Sequence, residues 1–131
     1  MIRFEVQTGA SRALVDITDR VRALIEQSGV VEGACLLFVP HTTAGITLNE
    51  NWDPDVARDM LVTFADIAPQ DPRHRHMEGN SPAHVMSSLV GASATLLISQ
   101  RQLCLGRWQG IYLAEFDGPR TRQIWLKILA E

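Results

Sequence analysis

With 131 residues, the chain is long enough to bury about two-thirds of its unfolded surface in one core and leaves little room for a second. At 46% hydrophobic and 21% charged residues it has the balance of an ordinary globular protein, and its net charge of −3 argues against the basic stripe that broad nucleic-acid binding requires. No apolar run approaches the ~20 residues needed to span a bilayer, and Met1 leads directly into an alternating pattern instead of a basic-then-apolar leader, so the expectation is a cytoplasmic protein with neither a membrane nor a nucleic-acid partner.

Residues 2–7 alternate Ile2, Phe4 and Val6 with Arg3, Glu5 and Gln7, the pattern of a half-buried strand. Thr18 reads as the N-cap of a helix carrying Val21, Leu24, Ile25 and Ser28 at helical spacing, with Gly29 as its stop. Residues 33–39 are nearly all apolar and predict a strand covered on both faces; it ends at Pro40, immediately before His41. Ile46-Thr47-Leu48 is short and β-prone. Asp53-Pro54 is a cap followed by proline, opening a helix whose apolar stripe is Val56, Met60, Leu61 and Phe64. Residues 68–83, punctuated by Pro69, Pro72 and Pro82, read as a loop. Ser81-Pro82 repeats the cap-then-proline device and opens a helix to about Leu89, closed by Gly91.

The remainder predicts strands at 94–99, 102–105, 108–116 and 121–129, with a turn at Phe116-Asp117-Gly118-Pro119. The turn at Ser99-Gln100-Arg101-Gln102 lacks the Asn-Gly pair that a tight hairpin favours. Cys35 and Cys104 sit in apolar runs and predict buried, reduced thiols. The sum is one α+β domain over residues 1–131, mostly antiparallel sheet with about three helices.

Three histidines fall at element boundaries: His41 after a strand and a proline, His76 in the loop, and His84 on the first turn of a helix. Neutral imidazole is the commonest zinc ligand, and three histidines with one open position make a catalytic arrangement. Glu78 stands beside His76 as an orienting group or general base. The spacings match no compact zinc signature, and His74 is equally placed to replace His76. Asn49 and Glu50 are poor strand formers and read as groups kept for a ligand, whereas Asp53 and Asp55 have structural roles at a helix start. Gln109 and Glu115 interrupt apolar strand sequence and fit either a site or a solvent-facing side. Arg101, Arg107, Arg120 and Arg122 are the sole concentration of positive charge, suited to a phosphate pocket or to a solvated face.

His41-Thr42-Thr43-Ala-Gly-Ile-Thr-Leu-Asn49-Glu50-Asn51, Glu78-Gly-Asn-Ser-Pro-Ala-His84 and Leu105-Gly-Arg107-Trp-Gln109-Gly-Ile111 together resemble the YjbQ family, in order and spacing, as does Glu115-Phe-Asp-Gly-Pro-Arg120-Thr-Arg122. The resemblance covers almost the whole chain. It implies a compact α+β fold assembled as a homotrimer, with sites near subunit boundaries that hold a divalent metal ion, zinc favoured, on His41, His76 and His84. It also implies a thiamine-phosphate synthase-type activity, as a main or a side activity, in which a pyrimidine diphosphate and a thiazole phosphate give thiamine phosphate and pyrophosphate. Asn49, Glu50, Glu78 and Gln109 match recurrent polar positions and are the candidate catalytic groups. Thr42, Thr43, Arg107, Arg120 and Arg122 are the candidates for binding a small phosphorylated metabolite. Arg107 departs from the family's threonine, where it would recruit an anion. The alternatives are a non-catalytic metal- or metabolite-binding trimer and a metal-dependent hydrolase.

Overall fold

A computed structural model describes residues 1–131. The elements run β1 (Ile2–Gln7), β2 (Ala13–Asp16), α1 (Thr18–Ser28), β3 (Gly33–Phe38), β4 (Ala44–Glu50), α2 (Pro54–Ile67), α3 (Ser81–Val90), β5 (Ser93–Ser99), β6 (Gln102–Cys104), β7 (Gln109–Glu115) and β8 (Thr121–Ala130). They build a five-stranded sheet in the order β1-β8-β3-β5-β6 and a three-stranded sheet in the order β2-β7-β4. Every strand pair is antiparallel, as the α+β expectation required.

The two sheets face each other. Cys35 and Leu37 of β3, Leu96 and Ile98 of β5, and Ile124 and Leu126 of β8 meet Ile46 of β4 and Ile111 and Leu113 of β7. Val21 and Ile25 of α1 join the same core. A second, smaller core lies on the other side of the three-stranded sheet, where Phe64, Ala83 and Met86 of α2 and α3 cover Ala114 and Phe116. Gly45 permits that layer to sit close, since a Cβ there would stand 2.6 Å from the Gly91 carbonyl oxygen. The layers are therefore sheet, sheet, helices, and the outer face of the five-stranded sheet has no cover.

That open face corrects one expectation. β3 is buried on one side only: Leu36 and Phe38 are 40% and 44% exposed. Register aligns Phe38 with Trp125 and Leu36 with Lys127. The rings of Phe38 and Trp125 are 5.8 Å apart, and Leu97 and Leu129 extend the apolar surface.

Several local readings also change. Thr18 does not cap α1. Ile17 holds the cap position without a side-chain bond; Asp16, just before it, accepts from the Thr18 N–H (2.9 Å) and hydroxyl, while the Thr18 hydroxyl accepts from the Ile111 N–H and ties the helix to β7. Asp53 caps α2 through the Asp55 N–H as expected, but α3 begins at Ser81 with no side-chain cap. β2 was missed because four residues on a sheet edge carry too short a pattern to read. Cys35 is buried, its thiol pushed up to about 11 by burial, whereas Cys104 is exposed on the open face.

Candidate functional site

The site is organised around an ion pair that joins the sheets. Glu115, at the end of β7, is fully buried, and Arg122, at the start of β8, is 3% exposed. Arg122 donates to both carboxylate oxygens, Nε to Oε1 at 2.9 Å and Nη2 to Oε2. Nη2 also donates to the Thr43 carbonyl and hydroxyl. Thr8 and the Asp117 N–H donate to the remaining lone pairs of Glu115. Burial pushes this carboxyl up, but the guanidinium, the Asp117 N–H and the Thr8 hydroxyl outweigh it and hold it below the ordinary glutamate value. Glu115 is thus neither solvent-facing nor free. Arg122 is spent on it and does not form a phosphate clamp with Arg120.

Above this pair opens a cavity of about 230 Å³ with no apolar lining, formed by Thr42, Thr43, His76, Glu78, Asn80, His84, Asp117 and Arg120. Three segments meet there: the β3–β4 connection, the loop entering α3, and the β7–β8 turn. The His76 and His84 rings stand edge to face with centroids 5.3 Å apart, and His74 shares a neighbouring cavity with both. Arg120 is held by the Asp117 carbonyl and carboxylate at 2.7 and 2.9 Å, and Asn80 donates to the same carboxylate. Neither Asn80 nor Asp117 is among the site residues expected from the sequence, where Asp117 reads only as part of a turn. The resemblance motifs contained them, but nothing in their residue type separated a wall from a turn.

His41 borders the next cavity together with Thr42 and His84. Its Nε2 accepts the Gln123 N–H at 2.9 Å. Burial lowers its pKa, Arg122 and Arg120 lower it further, and Glu115 offsets part of this; with Nε2 accepting, the neutral ring carries its proton on Nδ1. No group of three His, Cys, Asp or Glu side chains in the chain is placed to hold an ion. Within the single chain the three histidines do not gather into one ligand group: His76 and His84 pair, and His41 stands in the adjoining cavity.

The other expected residues lie elsewhere. Glu50 pairs with Gln109 and Asn49 with Gly110 at the far end of the three-stranded sheet, six strand positions from Ala44, or about 20 Å at the usual rise. Asn49 accepts the Glu50 N–H, Glu50 accepts the Asp53 N–H, and Gln109 closes a turn by accepting the Gly106 N–H. Arg107 stacks on Trp108, 5.0 Å from its ring, and Trp108 meets Trp52 at 6.1 Å. Within one chain these groups do not join the histidines. Both tryptophans are exposed, so core packing does not explain them.

The comparisons with known proteins agree with this architecture. A family model described as UPF0047 protein YjbQ-like matches residues 2–131. UPF0047 protein YugU of Bacillus subtilis is 48% identical over 95% of this chain and 96% of its own. UPF0047 protein YjbQ of Salmonella typhimurium is 40% identical over 80% and 78%. Among solved structures, an uncharacterised YjbQ/UPF0047 protein of Clostridium acetobutylicum superposes with a TM-score of 0.95 at 46% identity, covering 98% of this chain and 100% of that one. A protein of unknown function from Sulfolobus solfataricus gives 0.94 at 35% identity, covering 99% and 96%. From residue 2 to residue 131 the chain belongs to the YjbQ-like UPF0047 family.

Proposed function

We propose that the histidine cavity binds the diphosphate of a small metabolite and that the protein carries out a thiamine-phosphate synthase-type transfer there. The observation behind this reading is that Arg120, Thr42, His76 and His84 line one cavity without a single apolar wall. Arg120 uses Nε and one Nη2 hydrogen on Asp117, leaving its other donors for phosphate oxygens. The Thr42 hydroxyl is a further donor. In the transfer, the thiazole nitrogen attacks the methylene carbon of the pyrimidine; the carbon–nitrogen bond forms as the carbon–oxygen bond breaks, and pyrophosphate leaves with the electron pair. The chain's tasks are positioning and stabilising the departing charge. His84 and His76 line the same cavity as Glu78 and are placed to donate a hydrogen bond to the leaving group.

A divalent ion, zinc favoured, belongs to this reading only with further ligands from another copy of the chain. A homotrimer is part of the same proposal. The apolar open face of the five-stranded sheet supports it, since so many large apolar side chains in one patch mark an interaction surface.

The test is pyrophosphate release from the pyrimidine diphosphate and thiazole phosphate, with zinc content measured on the same preparation. His84→Ala, at a half-buried position on the first turn of α3, is expected to keep its circular dichroism and lose about 100-fold in turnover. Undiminished turnover in the folded variant removes His84 from the reaction, and no release by the parent protein rejects the activity.

A further inference from the structure

Next to the histidine cavity lies a larger one of about 310 Å³, sharing Asn80 and Asp117 as a common wall. Its character differs. Phe116, Pro82 and Ala83 give it an apolar side, and Arg12 and Ser11 from the β1–β2 loop give it a cationic, hydroxyl-bearing rim. Arg12 makes no ion pair within the chain.

The rim is built, not a loose loop. Gly118 donates its N–H to the Ser11 carbonyl at 3.0 Å. A Cβ on Gly118 would stand 2.3 Å from the Ala10 carbonyl oxygen and 2.9 Å from Thr8 Oγ1. The segment carrying Arg12 is thus pressed against the turn that carries Asp117, with no space for a side chain between them. Asn80, in the shared wall, gives Nδ2 to Asp117 while its buried Oδ1 has no hydrogen-bond partner.

We propose that this second cavity is a subsite for a second anionic ligand, a flat ring bearing a monophosphate. The ring lies against Phe116 and Pro82, and the phosphate sits on Arg12 and the Ser11 hydroxyl. The inference rests on reading the histidine cavity as the diphosphate site, and it gives the two substrates of a transfer adjacent places across one wall.

Calorimetry with phenyl phosphate and inorganic pyrophosphate tests it. The protein is expected to bind both at once. Arg12→Ala weakens phenyl phosphate about tenfold, as loss of one charge-assisted contact requires, and leaves pyrophosphate within twofold; Arg120→Ala does the reverse. Arg12→Lys restores part of the loss. Competition between the two probes, absence of phenyl phosphate binding, or an unchanged affinity in Arg12→Ala overturns the subsite. If pyrophosphate alone fails to bind while phenyl phosphate binding still depends on Arg12, the subsite stands and the diphosphate reading falls.

Discussion

Glu115 and Arg122 show how far a residue's type and its role can part. In the sequence Glu115 breaks an apolar strand and Arg122 belongs to a cluster of cations, which made one a surface candidate and the other a phosphate ligand. In the fold they are buried against each other, because β7 and β8 end at the same edge of the sandwich. Removing one partner of such a pair leaves an uncompensated buried charge, at about 3–5 kcal/mol. Glu115→Ala is therefore expected to lower the melting temperature by on the order of 10 °C, and a loss of a degree or two in calorimetry would contradict the pairing. The pH dependence follows from the lowered carboxyl. Below the ordinary glutamate value the unfolded chain takes up a proton that the folded Glu115 resists, so stability drains away as pH falls from about 4.5 through the lower folded value. In Glu115→Gln that part of the acid sensitivity disappears.

Elements were legible where periodicity ran long. The alternation of β1 and β8 read directly, since one face turns to the core and one is wet, and so did the stripe of α2, although Val56, Met60, Leu61 and Phe64 are only half-buried. Caps were less secure, because a hydroxyl at a helix start can bond elsewhere, as Thr18 does with β7. The β5–β6 hairpin is the instructive departure. It lacks Asn-Gly, yet Gln100 and Arg101 adopt φ of 53° and 65°, the left-handed pair of a tight hairpin turn. Tertiary contacts impose it: Arg101 N–H donates to the Val31 carbonyl, and Gln100 N–H and the Ser99 hydroxyl donate to the Glu32 carboxylate. Gln100→Asn with Arg101→Gly is expected to stabilise the protein by about 0.5–1 kcal/mol, measured by denaturant unfolding, by relieving the left-handed strain. A destabilised double variant would show that the side chains removed contribute more than the strain relieved.

At the scale of the whole molecule, the chain leaves one sheet face bare and two groups of family-typical polar residues about 20 Å apart. A homotrimer, proposed above, would cover the first and give the second a reason. Phe38→Glu places a charge on the open face without touching either core, because Phe38 is already 44% exposed. It is expected to convert the trimer to monomers in light scattering with the fold intact, and a persistent trimer, or a monomeric parent protein, would move the interface elsewhere or remove it. The fold class, the strand–helix order apart from β2, and the motifs around His41 and His84 were determined by the sequence alone, since each rests on local pattern or on residues close in the chain. Which polar residues meet was decided by tertiary structure. Antiparallel pairing carried Asn49, Glu50 and Gln109 to one end of a sheet and the threonines and histidines to the other. The contact that holds His41, its Nε2 accepting the backbone N–H of Gln123 82 residues away, likewise lies beyond any local pattern.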